Sequence, residues 1–325
     1  MNSKIRLGVS LYCFTNEYYT YKYTLEDCLA KVAELGSDGF EIVAPQMIAG
    51  HPWPSDAFID SFLQLCEKHK VKPVSFGSYV DKGMRSDREL NQEEIFDSAL
   101  NDLRYAKKFG CPIMRSQEML SPQVFERIIP YAEDYGVKVG MEVHFPRVFE
   151  SPLMQEYYHV IVKSGSPYVC LIPDFGSYQE RPHKQLIEDA LELGASGHIV
   201  QYLTDAFKNG ETNEQIAGNV KKMGGTDTDM ELLIGCFALG LKAADLKGLK
   251  KMMPYVPYMH SKFFYIDEND FDSSIPYDKI LSIVKESGFE GYIMSEYAGH
   301  HHGPNDIMEQ LRRHLRMEKK YLGLS

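Results

Sequence analysis

Four side chains able to bind metal stand where apolar, strand-like runs give out: Glu142 in Val137-Lys-Val-Gly-Met-Glu-Val-His-Phe145, Asp174 in Ile172-Pro-Asp174, His260 in Tyr258-Met-His260-Ser-Lys262, and Glu296 in Met294-Ser-Glu296. Carboxylates gathered in one place repel and raise one another's pKa values, and a divalent cation is the economical way to keep them ionised. Three oxygen-donating residues with one imidazole and no thiolate suit Mn2+ or Mg2+, with Co2+, Ni2+ or Fe2+ compatible, and leave positions open for water or substrate. Taken singly, each residue also fits an ordinary role as helix N-cap, salt-bridge partner or core histidine. Their shared placement at strand ends is what favours a metal site.

His144 lies one pleat beyond Glu142 and shares its face, because side chains alternate along a strand. A neutral imidazole there can take a proton from a bound substrate, or serve as a fifth ligand. Lys262 stands in the same relation to His260; it can neutralise a developing oxyanion or pair with a neighbouring carboxylate. Arg115 and Gln117, just past the fourth strand-like run, are candidates for holding substrate hydroxyls, with a structural ion pair the other reading of Arg115. Trp53, within His51-Pro-Trp-Pro54, can stack on a sugar or aromatic ring. His301, in the run His300-His-His302, can hang over the site or belong to a solvated loop. Glu41 and Tyr12, at the ends of the second and first strand-like runs, are weaker candidates of the same kind.

The elements that must position these residues alternate. Ile5–Leu11, Gly39–Val43, Val71–Phe76, Cys111–Arg115, Val137–Val143, Tyr168–Ile172, Val256–Phe263 and Gly291–Met294 are strand-like, and helical patterns follow them, among them Thr24–Leu35 behind a Thr-Leu-Glu-Asp capping box and a single helix over Ser121–Tyr135. Only residues 175–254 break the rhythm. They read as a mainly helical insertion between the sixth and seventh strands, far longer than a usual connection. Eight strand-then-helix units predict an α/β chain folded as a (β/α)8 TIM barrel, a single domain over residues 1–325, in which chemistry gathers where strands pass into the following loops. A doubly wound open sheet is the runner-up, but it wants a Gly-rich phosphate turn after an early strand, and Gly8 or Gly77 alone does not supply one.

Composition narrows the class of partner. A formal charge of −11 with no Lys/Arg-rich block speaks against nucleic acid. No apolar run approaches the roughly 20 residues of a membrane-spanning helix, and the start lacks the pattern of a signal peptide, so a cytoplasmic location is expected. The six cysteines are scattered and no disulfide is expected.

With these residues in place, the sequence resembles the xylose-isomerase-like sugar phosphate isomerase/epimerase superfamily, whose metal is held by a Glu, Asp, His, Glu set at the ends of the last four strands. Met114-Arg-Ser-Gln117, Gly140-Met-Glu-Val-His144, Ile172-Pro-Asp-Phe-Gly176 and His260-Ser-Lys-Phe-Phe264 resemble more narrowly the α subunit of bacterial C-glycoside deglycosidases. That resemblance implies cleavage of the carbon–carbon bond between a 3-oxo sugar and an aromatic aglycone, through proton abstraction and an enediolate. It also implies Mn2+ held by Glu142, Asp174, His260 and Glu296, His144 as the base, and a small β subunit as partner in a hetero-oligomer. The competing expectations are a metal-dependent ketose 3-epimerase or sugar isomerase, with Glu142 and Glu296 moving a proton between them, and a non-catalytic binding subunit. An endonuclease on the same barrel would want several more histidine ligands and a less anionic surface.

Overall fold

The computed structural model describes residues 5–300 and 306–324. Eight parallel strands alternate with helices: β1 (Arg6–Ser10), β2 (Phe40–Val43), β3 (Pro73–Gly77), β4 (Ile113–Ser116), β5 (Lys138–Val143), β6 (Val169–Pro173), β7 (Tyr258–Phe263) and β8 (Tyr292–Tyr297). They hydrogen-bond in the order β6-β5-β4-β3-β2-β1-β8-β7, and an isolated parallel bridge between Asp174 and His260 joins the two ends. The result is a nearly closed (β/α)8 barrel. Its seam lies between β6 and β7.

Local chemistry sets the helix limits. Thr24 caps Leu25–Glu34 and exchanges hydrogen bonds with Asp27 in a capping box, and Asn91 and Glu94 do the same for Gln92–Lys108. The single helix expected over Ser121–Tyr135 is two, Pro122–Arg127 and Ile129–Tyr135. Pro130 has no N–H to continue the first helix and suits the opening turn of the second. Between β6 and β7 the described elements are helical, and Lys184–Glu192, Gly197–Ala206, Asn213–Lys222 and Asp227–Ala238 bury Ile199, Leu203, Ile216, Val220, Leu233 and Cys236 in a small core of their own. The main core lies elsewhere, between the outer faces of the strands and the surrounding helices. All six cysteines are free and buried. No helix among the described residues is long and apolar enough to cross a membrane.

Inside the barrel the side chains are stratified. Val74, Ile113, Ile172, Tyr258 and Met294 form a buried apolar layer. Arg115, Asp174, His260 and Glu296 follow Ile113, Ile172, Tyr258 and Met294 by two residues each, so a strand's period of two places them on the same inward face, one layer nearer the C-terminal ends. The candidate site is built on that layer.

Candidate metal centre

Strand register brings the four candidate ligands together. Glu142 pairs with Ile172, two residues before Asp174; Asp174 pairs with His260; His260 pairs with Met294, two residues before Glu296. Each offset is even, so all four side chains keep to the inner face. The climb of two residues at two of the three steps is what tilted strands in a sheared barrel need to reach a common height. Glu142, Asp174, His260 and Glu296 are buried, and one ligand atom from each lies within 4.8 Å of all the others, so the four could hold a metal ion.

The donor atoms are aimed at one another without satisfying one another. His260 Nδ1 stands 3.0 Å from Glu142 Oε1 and 3.4 Å from Glu296 Oε2. Lys262 Nζ stands 2.8 Å from Asp174 Oδ2 and 3.0 Å from Glu296 Oε2. Despite these ion-pair distances, His260 Nδ1, Asp174 Oδ2 and Glu296 Oε2 are buried and receive no aligned hydrogen bond. Charge is also out of balance. The buried carboxylates of Glu41, Glu142, Asp174 and Glu296 outnumber the buried cations of Arg115 and Lys262, and against burial Glu41 and its neighbours raise the His260 imidazole well above its ordinary range, drawing a proton into the site. Orphaned ligand atoms and an excess of buried negative charge fit a divalent cation, which would take that proton's place.

The surrounding groups keep the site ionised. Burial acts to raise the Glu142 carboxyl pKa, and the Arg115 guanidinium overrides it, holding the group well below the usual carboxylate range. Glu41 is brought down to about 2 by the same opposition of burial and Arg115. Glu296 is likewise lowered against burial, chiefly by Lys262. Lys262 is raised against burial by Asp174 and then Glu296, so it stays an ammonium.

Among the residues singled out by sequence, His144 stands at the edge of this cluster. Its Nδ1 lies 2.6 Å from the Phe145 carbonyl and its Nε2 lies 2.8 Å from Lys262 Nζ. Its side chain is 28% exposed, against 10% or less for Lys262, Asp174, Glu296 and Glu142. Arg115 is fully buried and donates to Glu142 Oε2 at 2.8 Å, to Glu41 Oε2 at 3.0 Å and to the Tyr79 hydroxyl at 2.5 Å. Gln117 Nε2 donates to the same Glu142 oxygen at 3.0 Å. Trp53 is 69% exposed and shares no described hydrogen bond with the cluster. His301 lies outside the described residues, and its neighbour His300 packs edge-on against Tyr12 and Tyr297.

Two contributors had little or no sequence signal. Gly176 gives its N–H to Asp174 Oδ1 at 2.6 Å, and a Cβ there would meet Lys262 Cδ at 2.8 Å and that same oxygen at 2.9 Å. Glycine is what lets the lysine stem pass. Tyr258 sends its hydroxyl to Glu41 Oε2 at 2.9 Å. Its position two residues before His260, on the same strand face, was the available clue.

Residues 29–317 match the xylose isomerase-like TIM barrel family. The chain belongs to that family. It is 32% identical over 321 residues to the 3'-dehydrocarminate deglycosidase alpha subunit of Microbacterium sp, covering 93% of this chain and 90% of that protein. The C-glycoside deglycosidase alpha subunit of Microbacterium trichothecenolyticum is 29% identical over 308 residues, covering 90% of this chain and 83% of the relative. Among solved structures, D-allulose 3-epimerase from Methylomonas sp. superposes with a TM-score of 0.59 at 13% identity, over 98% of this chain and 99% of the epimerase, a likeness of fold.

Proposed function

We propose that the chain is the catalytic α subunit of a metal-dependent C-glycoside deglycosidase, a carbon–carbon lyase that separates a 3-oxo sugar from an aromatic aglycone in company with a small β subunit, in the cytoplasm. Relatives named as deglycosidase alpha subunits along nearly the whole chain support it. The observation that carries it is His144, which borders the buried candidate ligands, is more exposed than Glu142, Asp174, His260 or Glu296, and has a ring nitrogen turned toward a lysine.

A divalent cation, Mn2+ before Mg2+ or Co2+, would be held by Glu142, Asp174, His260 and Glu296 and would act as a Lewis acid toward substrate oxygens. The Phe145 carbonyl can only accept, so His144 Nδ1 carries the ring hydrogen and Nε2 carries the lone pair, which accepts from the Lys262 ammonium. That neutral imidazole takes the proton from sugar C2, alpha to the 3-oxo group, or from a phenol of the aglycone. When C2 is the donor, the electron pair of its C–H bond moves toward the 3-oxo oxygen. Lys262, released from His144, meets the charge developing there. The C1–aglycone bond then breaks, leaving a C1–C2 double bond conjugated with the ketone, and the aglycone carbon takes up a proton. We assign Gln117, beside Glu142, Trp53, which is exposed, and His301, which lies outside the described residues, to substrate contact, and Arg115, saturated by buried partners, to orienting Glu142.

The test is a purified, Mn2+-loaded chain incubated with a 3-oxo C-glucoside, alone and with a co-expressed small partner. Release of free aglycone with an unsaturated keto sugar is expected. A metal-loaded chain that interconverts free ketoses and leaves the C-glucoside intact overturns the reading in favour of a 3-epimerase, the alternative that the placement of Glu142 and Glu296 on His260 Nδ1 favours.

A further inference from the structure

Glu41 is the second residue of β2, across the barrel from the strands that carry the candidate ligands, and its side chain is wholly buried. A carboxylate in that position needs a reason, because an ion removed from water is costly unless hydrogen-bonded on most of its lone pairs. Glu41 has those bonds, and they come from four strands. Ser10 of β1 donates to Oε1 at 2.9 Å and Ser75 of β3 to Oε2 at 3.2 Å. Arg115 of β4 reaches both oxygens, at 3.0 and 3.4 Å. From β7 come the Tyr258 hydroxyl at 2.9 Å and His260 Nε2 at 3.0 Å.

The last contact decides the state of the histidine. An ionised carboxylate only accepts, so the nitrogen facing it carries a hydrogen. His260 Nε2 is therefore the N–H, and a neutral ring keeps its lone pair on Nδ1. Nδ1 is the nitrogen aimed at Glu142 and Glu296 and lacking an aligned hydrogen bond. Arg115 extends the arrangement, since the guanidinium that grips Glu41 also grips Glu142. One buried carboxylate thus fixes the tautomer and rotation of the imidazole and, through an arginine, the seat of a glutamate three strands away.

We propose that Glu41 is a positioning residue for the metal centre, binding no metal itself and setting the affinity of the site by presenting His260 through Nδ1. The proposal rests on the metal-centre reading of Glu142, Asp174, His260 and Glu296. Carboxylates that orient metal-binding histidines typically change affinity 10- to 100-fold when removed.

The experiment is Co2+ titration of the metal-free full chain and of Glu41→Gln, followed through the visible absorption of bound Co2+ and through competition with a chelator, with circular dichroism to report the fold. Glu41→Gln keeps the shape of the side chain, removes its charge and offers one acceptor oxygen in place of two. The expected result is a folded variant that binds Co2+ 10- to 100-fold more weakly with a shifted absorption band, a change that a role in packing alone would not produce. Wild-type affinity and spectrum in the folded variant overturn the proposal. If Glu41→Gln does not fold, Glu41→Asp retains the charge for Arg115 but withdraws it from His260 by one methylene; weakened Co2+ binding supports the proposal and unchanged binding overturns it. A wild-type chain that binds no Co2+ removes the metal-centre reading itself, an outcome separate from a wild type and variant that bind alike.

Discussion

At the scale of single residues, two side chains on one strand end part company. Glu142 is fully buried, anchored by Arg115 and Gln117, and aimed at His260 Nδ1. His144 is partly exposed, and its nearest charged neighbour is the lysine rather than the ligands. On the proposed function, His144→Ala keeps the metal and loses turnover by about 10²- to 10⁴-fold, the usual worth of a general base. Glu142→Ala loses both, and metal analysis beside the aglycone-release assay checks the pair; metal loss in His144→Ala would make it a ligand. The convergence of Glu142, Asp174, His260 and Glu296 was legible in the sequence because each follows an apolar strand run at the same parity. The saturation of Arg115 was not. Three of its partners, Glu41, Tyr79 and Glu142, come from other strands or loops, and spacing along one strand carries no information about them.

At the scale of elements, β7 is held from both sides. Its inner face carries His260 and Lys262, and its outer face carries Ser261 into a buried polar group with Tyr277, His314 and Glu318. Tyr277 also donates to the Lys262 carbonyl at 2.8 Å, which ties the backbone beneath the lysine to the following helix, Tyr277–Glu286. Burial raises Glu318 from its ordinary 4.5 to about 8, against a hydrogen bond from Ser261. Burial lowers His314 from 6.5 to about 3. Below pH 4.5 Glu318 is protonated whether the chain is folded or not. Between about 4.5 and about 8 only the folded chain keeps the proton, so this group's contribution to stability falls as pH rises. His314 acts oppositely, costing stability as pH falls below 6.5. Between 6.5 and 8 it is neutral in both states and Glu318 acts without it. Urea unfolding at pH 6.5 and pH 8 should therefore show a loss of up to about 1.4 kcal/mol per pH unit that Glu318→Gln abolishes. An unchanged pH slope in the variant would show Glu318 to be ionised in the fold.

At the scale of the molecule, eight alternating units predicted a barrel and the strands form one. Periodicity reports which face of an element is buried, and it was sufficient for that. It does not report against what, and so the separate small core of Lys184–Glu192 through Asp227–Ala238 was not legible: an apolar helix stripe looks the same whether it packs on a sheet or on three other helices. Nor was the seam, where the bridge from Asp174 to His260 joins β6 to β7. Both residues of that bridge are candidate ligands. A metal bound there would fasten one strand to the other, and an ion that binds the folded chain alone stabilises it by mass action. Addition of EDTA should lower Tm and speed amide exchange in Val169–Pro173 and Tyr258–Phe263 before it does so in β2 and β3; uniform exchange across the sheet would place the metal's effect elsewhere.

The same seam has a consequence for the time at which the protein becomes whole. β6 ends at Pro173 and β7 begins at Tyr258, and a ribosome adding about 5–20 residues per second takes roughly 4–17 s to cross the interval. Through those seconds the nascent chain holds, at most, a six-stranded sheet whose two outermost strands, β1 and β6, still await their partners. Open strand edges recruit other chains. The helices made during the wait can gather around their own core without the barrel, which leaves β7 and β8 to arrive last and bring His260 and Glu296 with them.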